Sequence, residues 1–220
     1  MRVLLLGDSH SVGPYGQELE ALLRSAGHEV TRIAWVGAAA SHYLKGTEKQ
    51  IGLGGTGDYA SAKRQSYDLA VVSLGTNDAA GGAPKTAAAN IQSLFGQLNA
   101  GRKVWVGPPA FSRSAASTYN PAFLKKDLNA RSADLYEAMR SSGLETIDPR
   151  AATQPFVSTK DIHFNAPGGK AWARFVASEL DTTARSSASP QVKAGSMGLL
   201  SMVLVAVAAW AWLRRVERVK

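Results

Sequence analysis

Cysteine is absent from this chain of 220 residues. Without cysteine the protein has no disulfide framework, no thiolate metal site and no cysteine nucleophile, and its redox compartment stays open. A Gly-x-Ser-x-Gly motif is also missing, which disfavours the α/β-hydrolase fold. These two absences exclude cysteine chemistry and count against one large class of serine hydrolases.

Acidic residues are scarce beside basic ones, at 17 against 25, which gives a net charge of +8. Half of that excess lies in the last thirty residues, so the remainder of the chain is only mildly basic. No stripe of Lys and Arg interleaved with aromatic residues is present, and we therefore expect no nucleic-acid partner. No group of His, Asp and Glu has metal-ligand spacing, so we expect no metal and no cofactor.

Long apolar runs are also rare, and the exception lies near the end of the chain. Residues 194–213 carry no charge, and only Ser201 is polar among the last fifteen of them. Trp210 and Trp212 lie close to the basic tail, residues 214–220. About 20 apolar residues cross a bilayer as a helix, and Trp favours its interface. The run predicts a transmembrane helix in a lipid bilayer, whereas a buried core helix or an amphipathic surface helix is the alternative.

The side of the membrane that holds the rest of the chain stays open. The basic tail argues for a cytoplasmic C-terminus and a domain outside. The N-terminal apolar run is too short for a signal peptide and has no cleavage site, which argues for a tail-anchored domain inside. A viral membrane that is assembled differently would escape both arguments. We therefore expect a single C-terminal span in a cell or viral envelope.

Strand and helix patterns alternate along the chain. We predict strands over 2–7, 28–35, 67–74, 104–106 and 144–147, and helices over 14–26, 84–99, 120–141 and 166–180. Strands separated by helix-length segments indicate an α/β fold, with a mostly parallel sheet covered on both faces. The Ser-, Thr- and Ala-rich residues 181–193 indicate a flexible linker between a domain at 1–180 and the span.

A glycine-rich segment at residues 52–57 matches the dinucleotide pattern G-x-G-x-x-G by letter. It does not directly join a strand to a helix, and no acidic residue follows at the end of a next strand. We therefore favour a mobile loop near the site over a nucleotide site.

Four short blocks follow the predicted strands in a recognisable order. Gly7-Asp8-Ser9 follows the first strand, Gly37 the second, Gly75-Thr76-Asn77-Asp78 the third, and His163 precedes the last helix. In this order the chain resembles the SGNH (GDSL-type) hydrolase superfamily over nearly all of residues 1–180. The resemblance implies a three-layer αβα sandwich of the flavodoxin-like type and a serine esterase activity.

The resemblance also implies a role for each block. Ser9 would be the nucleophile and His163 the base that takes its proton. The backbone N–H groups of Ser9 and Gly37 and the side-chain amide of Asn77 would form the oxyanion hole. Each block also has a simpler interpretation: a helix cap at Asp8 or Ser9, a turn at Asn77 and a surface residue at His163. We expect Asp78 to organise its turn.

One position departs from the family pattern. The last block of the family usually has Asp three residues before the His, where this chain has Lys160, and Asp161 stands two before His163. We expect Asp161 to orient the imidazole. Otherwise a backbone carbonyl orients His163, or the site is degenerate. His10 is expected to form part of the site wall.

The resemblance implies a serine ester hydrolase, and the substrates of the family include acetylated carbohydrates, cell-wall glycans and lipids. We expect this chain to cleave short-acyl esters, in the first place O-acetyl groups on a carbohydrate or cell-wall glycan. Two alternatives stay open. A lipid esterase or lysophospholipase would use the same residues with another pocket. A catalytically weak, membrane-anchored envelope or virion protein would use the fold for binding. The oligomeric state is not predicted.

Overall fold

The computed structural model describes residues 1–51, 53–112 and 127–188, with side chains as far as residue 181. The chain divides into two compact units, Met1–Thr182 and Thr183–Lys220. Within the described residues, no helix combines the length and the apolar character that a membrane crossing requires. The predicted span at 194–213 and the basic tail at 214–220 lie outside the described residues.

Six described strands form one sheet in the order β3-β2-β1-β4-β5-β6. Their bounds are β1 Arg2–Gly7, β2 Glu29–Trp35, β3 Gly55–Thr56, β4 Ser66–Ser73, β5 Asn99–Val106 and β6 Glu145–Ile147. All neighbours pair in parallel except β3, which is antiparallel to β2. The predicted α/β fold with a mostly parallel sheet is therefore confirmed.

The helices lie between these strands. They are α1 Ser9–Val12, α2 Pro14–Ser25, α3 Ala40–Lys45, α4 Tyr59–Ala62, α5 Thr76–Gly81, α6 Pro84–Gln97, α7 Leu128–Arg140, α8 Arg150–Thr153 and α9 Ala166–Ala188, with 3-10 turns at Glu48–Ile51 and Gln154–Phe156. The last helix continues through the first eight residues of the predicted flexible linker. No Gly or Pro occurs between positions 181 and 188 to end it.

The central strand β1 is buried on both faces, which explains its continuous apolar sequence. Val3 and Leu5 pack in one core with residues of α2 and α9. Leu4 and Leu6 point to the opposite face and pack with residues of α3, α6 and α7. Alternate side chains of the strand therefore bind the sheet to both helical layers.

The register brings the carboxyl ends of three strands to one edge. Gly7 of β1 pairs with Ala34 of β2 on one side and with Ser73 of β4 on the other. The chain passes from β1 to β2 on one side and later returns to β4 on the other. Ligands of open α/β sheets bind at such a switch point, outside the carboxyl ends of the strands. The residues that follow β1, β2 and β4 meet there.

Candidate active site

Ser9 occupies the first turn after β1. Asp8 is in extended conformation and caps α1, with its carboxylate accepting the N–H of His10 at 3.0 Å. The helix cap is therefore supplied by Asp8, and the hydroxyl of Ser9 is left for another partner. Ser9 Oγ lies 3.0 Å from Nε2 of His163, a residue 154 positions further along the chain.

Asp161 holds the other side of the same imidazole. Its Oδ1 lies 2.9 Å from Nδ1 of His163 and also accepts the backbone N–H of His163 at 3.0 Å. A side chain that accepts the N–H two residues on forms an Asx turn. Burial raises the pKa of Asp161, but its hydrogen bonds with the N–H and the ring of His163 outweigh this and hold the pKa below its usual value.

The Asx turn explains how a carboxylate one position later than in the family pattern can reach the imidazole. In such a turn the carboxylate folds back over the second residue after it, so a spacing of two places Asp161 beside the ring of His163. Lys160 is exposed, and its backbone N–H donates to Ser158 Oγ at 3.0 Å. The structure thus brings together Ser9, His163 and Asp161 in one hydrogen-bonded series.

The loop after β2 is tied to the start of α5. Asn77 Nδ2 donates to the carbonyl of Ala38 at 3.0 Å, and Asp78 Oδ1 accepts the N–H of Ala40 at 2.9 Å. Gly37 begins this loop with a φ of 78°, a left-handed conformation that favours glycine. Two successive side chains of α5 therefore fix the backbone that follows Gly37.

Three hydrogen-bond donors remain for a ligand at this edge. Within the described parts of the chain, the backbone N–H groups of Ser9 and Gly37 donate to no protein acceptor. The amide of Asn77 has a second N–H besides the one that it gives to Ala38. These are the three donors predicted for the oxyanion hole.

His10 lies in the wall of the site. Its ring is buried, with its centroid 5.3 Å from that of His163 and 5.3 Å from that of Trp172. Burial, followed by the charge of His163, lowers the pKa of His10 to about 3. The ring is therefore neutral across the physiological range and adds no positive charge beside His163.

Two buried carboxyl groups lie beneath the site. Burial raises the pKa of Asp8 to about 7, and the charge of Asp78 adds to that rise. Burial likewise raises the pKa of Asp78 to about 6. Both carboxyls therefore titrate well above the range of an exposed aspartate.

Two cavities are lined by residues of the candidate site, one by Ser9 and His163 and the other by Gly37 and Asn77. One, of about 260 Å³, is largely apolar and is lined by Val12, Pro14, Tyr15, Val36, Phe164 and Trp172, together with Ser9 and His163. The other, of about 510 Å³, opens from Gly37 and Asn77 and extends to Ser41, His42, Thr86 and Asn90. No sequence motif contains these last four residues, so residue patterns alone do not single them out.

A hydroxyl, an imidazole and a carboxylate in hydrogen-bonded series, beside free N–H donors at the edge of a parallel sheet, have the arrangement of a serine hydrolase. In the described parts of the chain, no three His, Asp or Glu side chains are grouped as a metal site would require. The sequence profile of the GDSL-like Lipase/Acylhydrolase family matches residues 5–171. The chain belongs to this family, and it is a carboxylic ester hydrolase.

Solved structures show the same fold at low sequence identity. An acetyl xylan esterase, AlAXEase, has a TM-score of 0.56 at 18% identity, over 82% of this chain and 100% of its own. Est24, a carbohydrate acetylesterase from Sinorhizobium meliloti, gives 0.60 at 17%, over 83% and 99%. The aryl esterase of M. smegmatis gives 0.61 at 16%, over 82% and 98%. Among curated proteins, none matches the sequence significantly.

The raised pKa of Asp8 predicts a pH-dependent stability. The folded protein holds this proton up to about pH 7, whereas an unfolded aspartate loses it near pH 3.8. Asp8 therefore makes the free energy of unfolding fall as the pH rises between these values. Asp8→Asn keeps an oxygen acceptor for the cap and removes the charge. In urea denaturation, we expect the Asp8→Asn variant to lose less stability from pH 5 to pH 8 than the unmodified protein loses. The difference between the two losses should be on the order of 2 kcal/mol.

The matched control is Asp134→Asn, which changes an exposed carboxylate on α7. It should lose as much stability from pH 5 to pH 8 as the unmodified protein. An equal loss in the Asp8→Asn variant would show that the carboxyl of Asp8 does not titrate in this range.

Proposed function

We propose that this protein is a serine esterase that removes short acyl groups, in the first place O-acetyl groups, from a carbohydrate or cell-wall glycan. Ser9 is the nucleophile, His163 the general base and Asp161 the acid that orients it. The observation that carries the proposal is the series of contacts from Ser9 Oγ to His163 Nε2 at 3.0 Å and from His163 Nδ1 to Asp161 Oδ1 at 2.9 Å.

In the first half of the reaction, Ser9 Oγ attacks the acyl carbon while its proton passes to Nε2 of His163. The carbonyl oxygen becomes an oxyanion, which the N–H groups of Ser9 and Gly37 and the amide of Asn77 stabilise. Asp161 stabilises the imidazolium that forms. The C–O bond to the alcohol then breaks, the alcohol takes the proton from His163, and the acyl group stays on Ser9.

In the second half, a water molecule attacks the acyl-enzyme while His163 takes its proton. The same three donors stabilise the second oxyanion. When this intermediate collapses, the bond to Ser9 Oγ breaks and Ser9 recovers its proton from His163. The products are the free acid and the unmodified enzyme, and none of the steps requires a metal or a cofactor.

Two observations support a short acyl group. The apolar cavity beside Ser9 measures about 260 Å³, which is small for a long chain. The large exposed hydrophobic side chains of the described residues, Met1, Leu53 and Phe156, lie far apart in the sequence. Among the structures with this fold, AlAXEase is named as an acetyl xylan esterase and Est24 as a carbohydrate acetylesterase. A lipid esterase that uses the same residues is the second candidate, and a preference for long acyl chains would favour it.

Ser9→Ala tests the nucleophile. We expect the full chain to hydrolyse p-nitrophenyl acetate, and the variant to lose at least ~10³-fold in kcat, because the acyl-enzyme can no longer form. A fluorophosphonate should label the unmodified protein covalently and should not label the variant.

Hydrolysis that survives Ser9→Ala would contradict the proposed mechanism. A folded protein that neither hydrolyses the ester nor takes the label would instead favour a membrane-anchored binding protein on the same fold.

The role of Asp161 is tested against its neighbour. Asp161→Asn removes the negative charge beside the imidazolium, and we expect kcat for p-nitrophenyl acetate to fall by about 10²–10⁴-fold. Lys160→Ala is the matched control, since Lys160 holds the usual position of the acid in the family, whereas the carboxylate that pairs with the ring of His163 belongs to Asp161. It should stay within about twofold of the unmodified protein. Equal effects of the two substitutions would count against Asp161.

We propose further that residues 194–213 anchor the enzyme to a membrane, in a cell or viral envelope. The support is in the sequence alone: twenty uncharged residues followed by the Arg-rich tail at 214–220. An anchor would hold the esterase close to an envelope glycan. The proposal does not depend on which side of the membrane holds the catalytic domain.

Val205→Arg tests the anchor, because an arginine at the centre of a transmembrane helix costs about 2.5–3.5 kcal/mol on insertion scales. We expect the full chain to stay with the membrane pellet after carbonate extraction and the variant to shift to the supernatant. Val192→Arg, which lies before the apolar run, should stay in the pellet. Extraction of all three proteins into the supernatant would exclude the anchor.

A further inference from the structure

We infer that the cavity of about 510 Å³ beside Asn77 is a subsite for a neutral, hydroxyl-bearing part of the substrate, namely the sugar that carries the acyl group. This inference rests on the proposed function, and it names the residues that would recognise the sugar: Ser41, His42, Thr86 and Asn90. They lie on α3 and α6.

The subsite adjoins the reacting atoms. It is lined by Gly37 and Asn77, two of the three groups proposed for the oxyanion hole, and by residues of α3 and of the first half of α6. Pockets for small organic ligands measure about 300–1,000 Å³. An acetyl group is far too small to fill such a cavity, so in an acetyl ester the alcohol part is what remains to occupy it.

His42 is prepared as a hydrogen-bond donor. Its Nδ1 accepts the N–H of Ala39 at 3.0 Å, so this nitrogen carries no proton. Burial, followed by the charge of Lys45, lowers the pKa of His42 and favours the neutral ring. A neutral imidazole with a bare Nδ1 carries its proton on Nε2. The ring therefore offers one donor of fixed position among the residues that line the cavity.

The other polar side chains of the subsite have unused hydrogen-bonding capacity. Within the described residues, the hydroxyls of Ser41 and Thr86 and the amide of Asn90 form no hydrogen bond with protein. Ser41 and Asn90 are half-buried and Thr86 is exposed. Hydroxyl and amide groups both donate and accept, as the hydroxyls of a sugar do.

The charges of the subsite select against ionic ligands. Its lining within the described residues contains no Lys or Arg, so it offers no cation to bind a phosphate or a carboxylate. Its carboxyl group, Asp78, is buried and accepts the N–H of Ala40. A neutral polyol therefore fits the lining better than an anionic alcohol does.

The experiment compares two acetyl esters that differ in the alcohol. For the full chain, kcat/KM is measured on an acetylated xylo-oligosaccharide and on p-nitrophenyl acetate. Asn90→Ala and Ser41→Ala should each lower the ratio of the first value to the second by about three- to tenfold, which is the loss of one hydrogen bond. Gln92→Ala, an exposed position on the same helix α6, should leave both values unchanged.

An unchanged ratio in an enzyme that hydrolyses both esters would overturn the subsite and leave the proposed function intact. A change that depends on acyl length within a series of p-nitrophenyl esters would show that the cavity holds the acyl part, and would also overturn it. Should the unmodified chain hydrolyse neither ester, the proposed function fails. In that case, saturation-transfer NMR measures the binding of the unacetylated xylo-oligosaccharide to the Ser9→Ala variant. Binding that is weakened by the additional substitution Asn90→Ala supports the subsite, and the absence of binding overturns it.

Discussion

The burial of β1 between two helical layers is the constraint on which the site depends. Alternate side chains of this strand enter the cores on both faces, and backbone pairing with β2 and β4 fixes its register. A shift of one residue would exchange the two faces, so the end of the strand at Gly7 is strongly specified. Ser9 follows Gly7 by two residues, so its position is set by core contacts of β1 that lie away from its hydroxyl.

Hydrogen bonds position the remaining groups of the site around the end of β1. Asp8 caps α1, the start of α5 holds the loop that begins at Gly37, and Asp161 holds the ring of His163 by an Asx turn. Preorganised donors stabilise an oxyanion because they need no reorganisation during the reaction. The buried carboxyls of Asp8 and Asp78 are a cost of this arrangement, since burial raises the pKa of both and their ionisation opposes folding at neutral pH.

Much of the fold could be predicted from periodicity, and the departures have physical causes. β5 begins at Asn99, five residues earlier than its apolar core indicates, because pairing with Ser66 of β4 recruits a segment that contains Gly101. The short strand β3 escaped prediction because two residues have no period, and its pairing with β2 is a tertiary contact. The helix α9 was predicted to end at position 180 but continues to Ala188. Composition alone does not distinguish a Ser-, Thr- and Ala-rich linker from an Ala-containing helix.

The residue pattern alone names the candidates for the chemistry: Ser9, Gly37, Asn77 and His163 stand in separate blocks, in the order that is typical of the family. How these residues are supported follows only from the folded chain. Asp161 stands one position away from the usual place of the acid, and it reaches the imidazole because of the turn that it forms. The backbone torsion angles of that turn cannot be derived from residue spacing. The cavity of Ser41, His42 and Asn90 is likewise invisible in the sequence, because it joins side chains of two helices that meet only when both pack on the same face of the sheet.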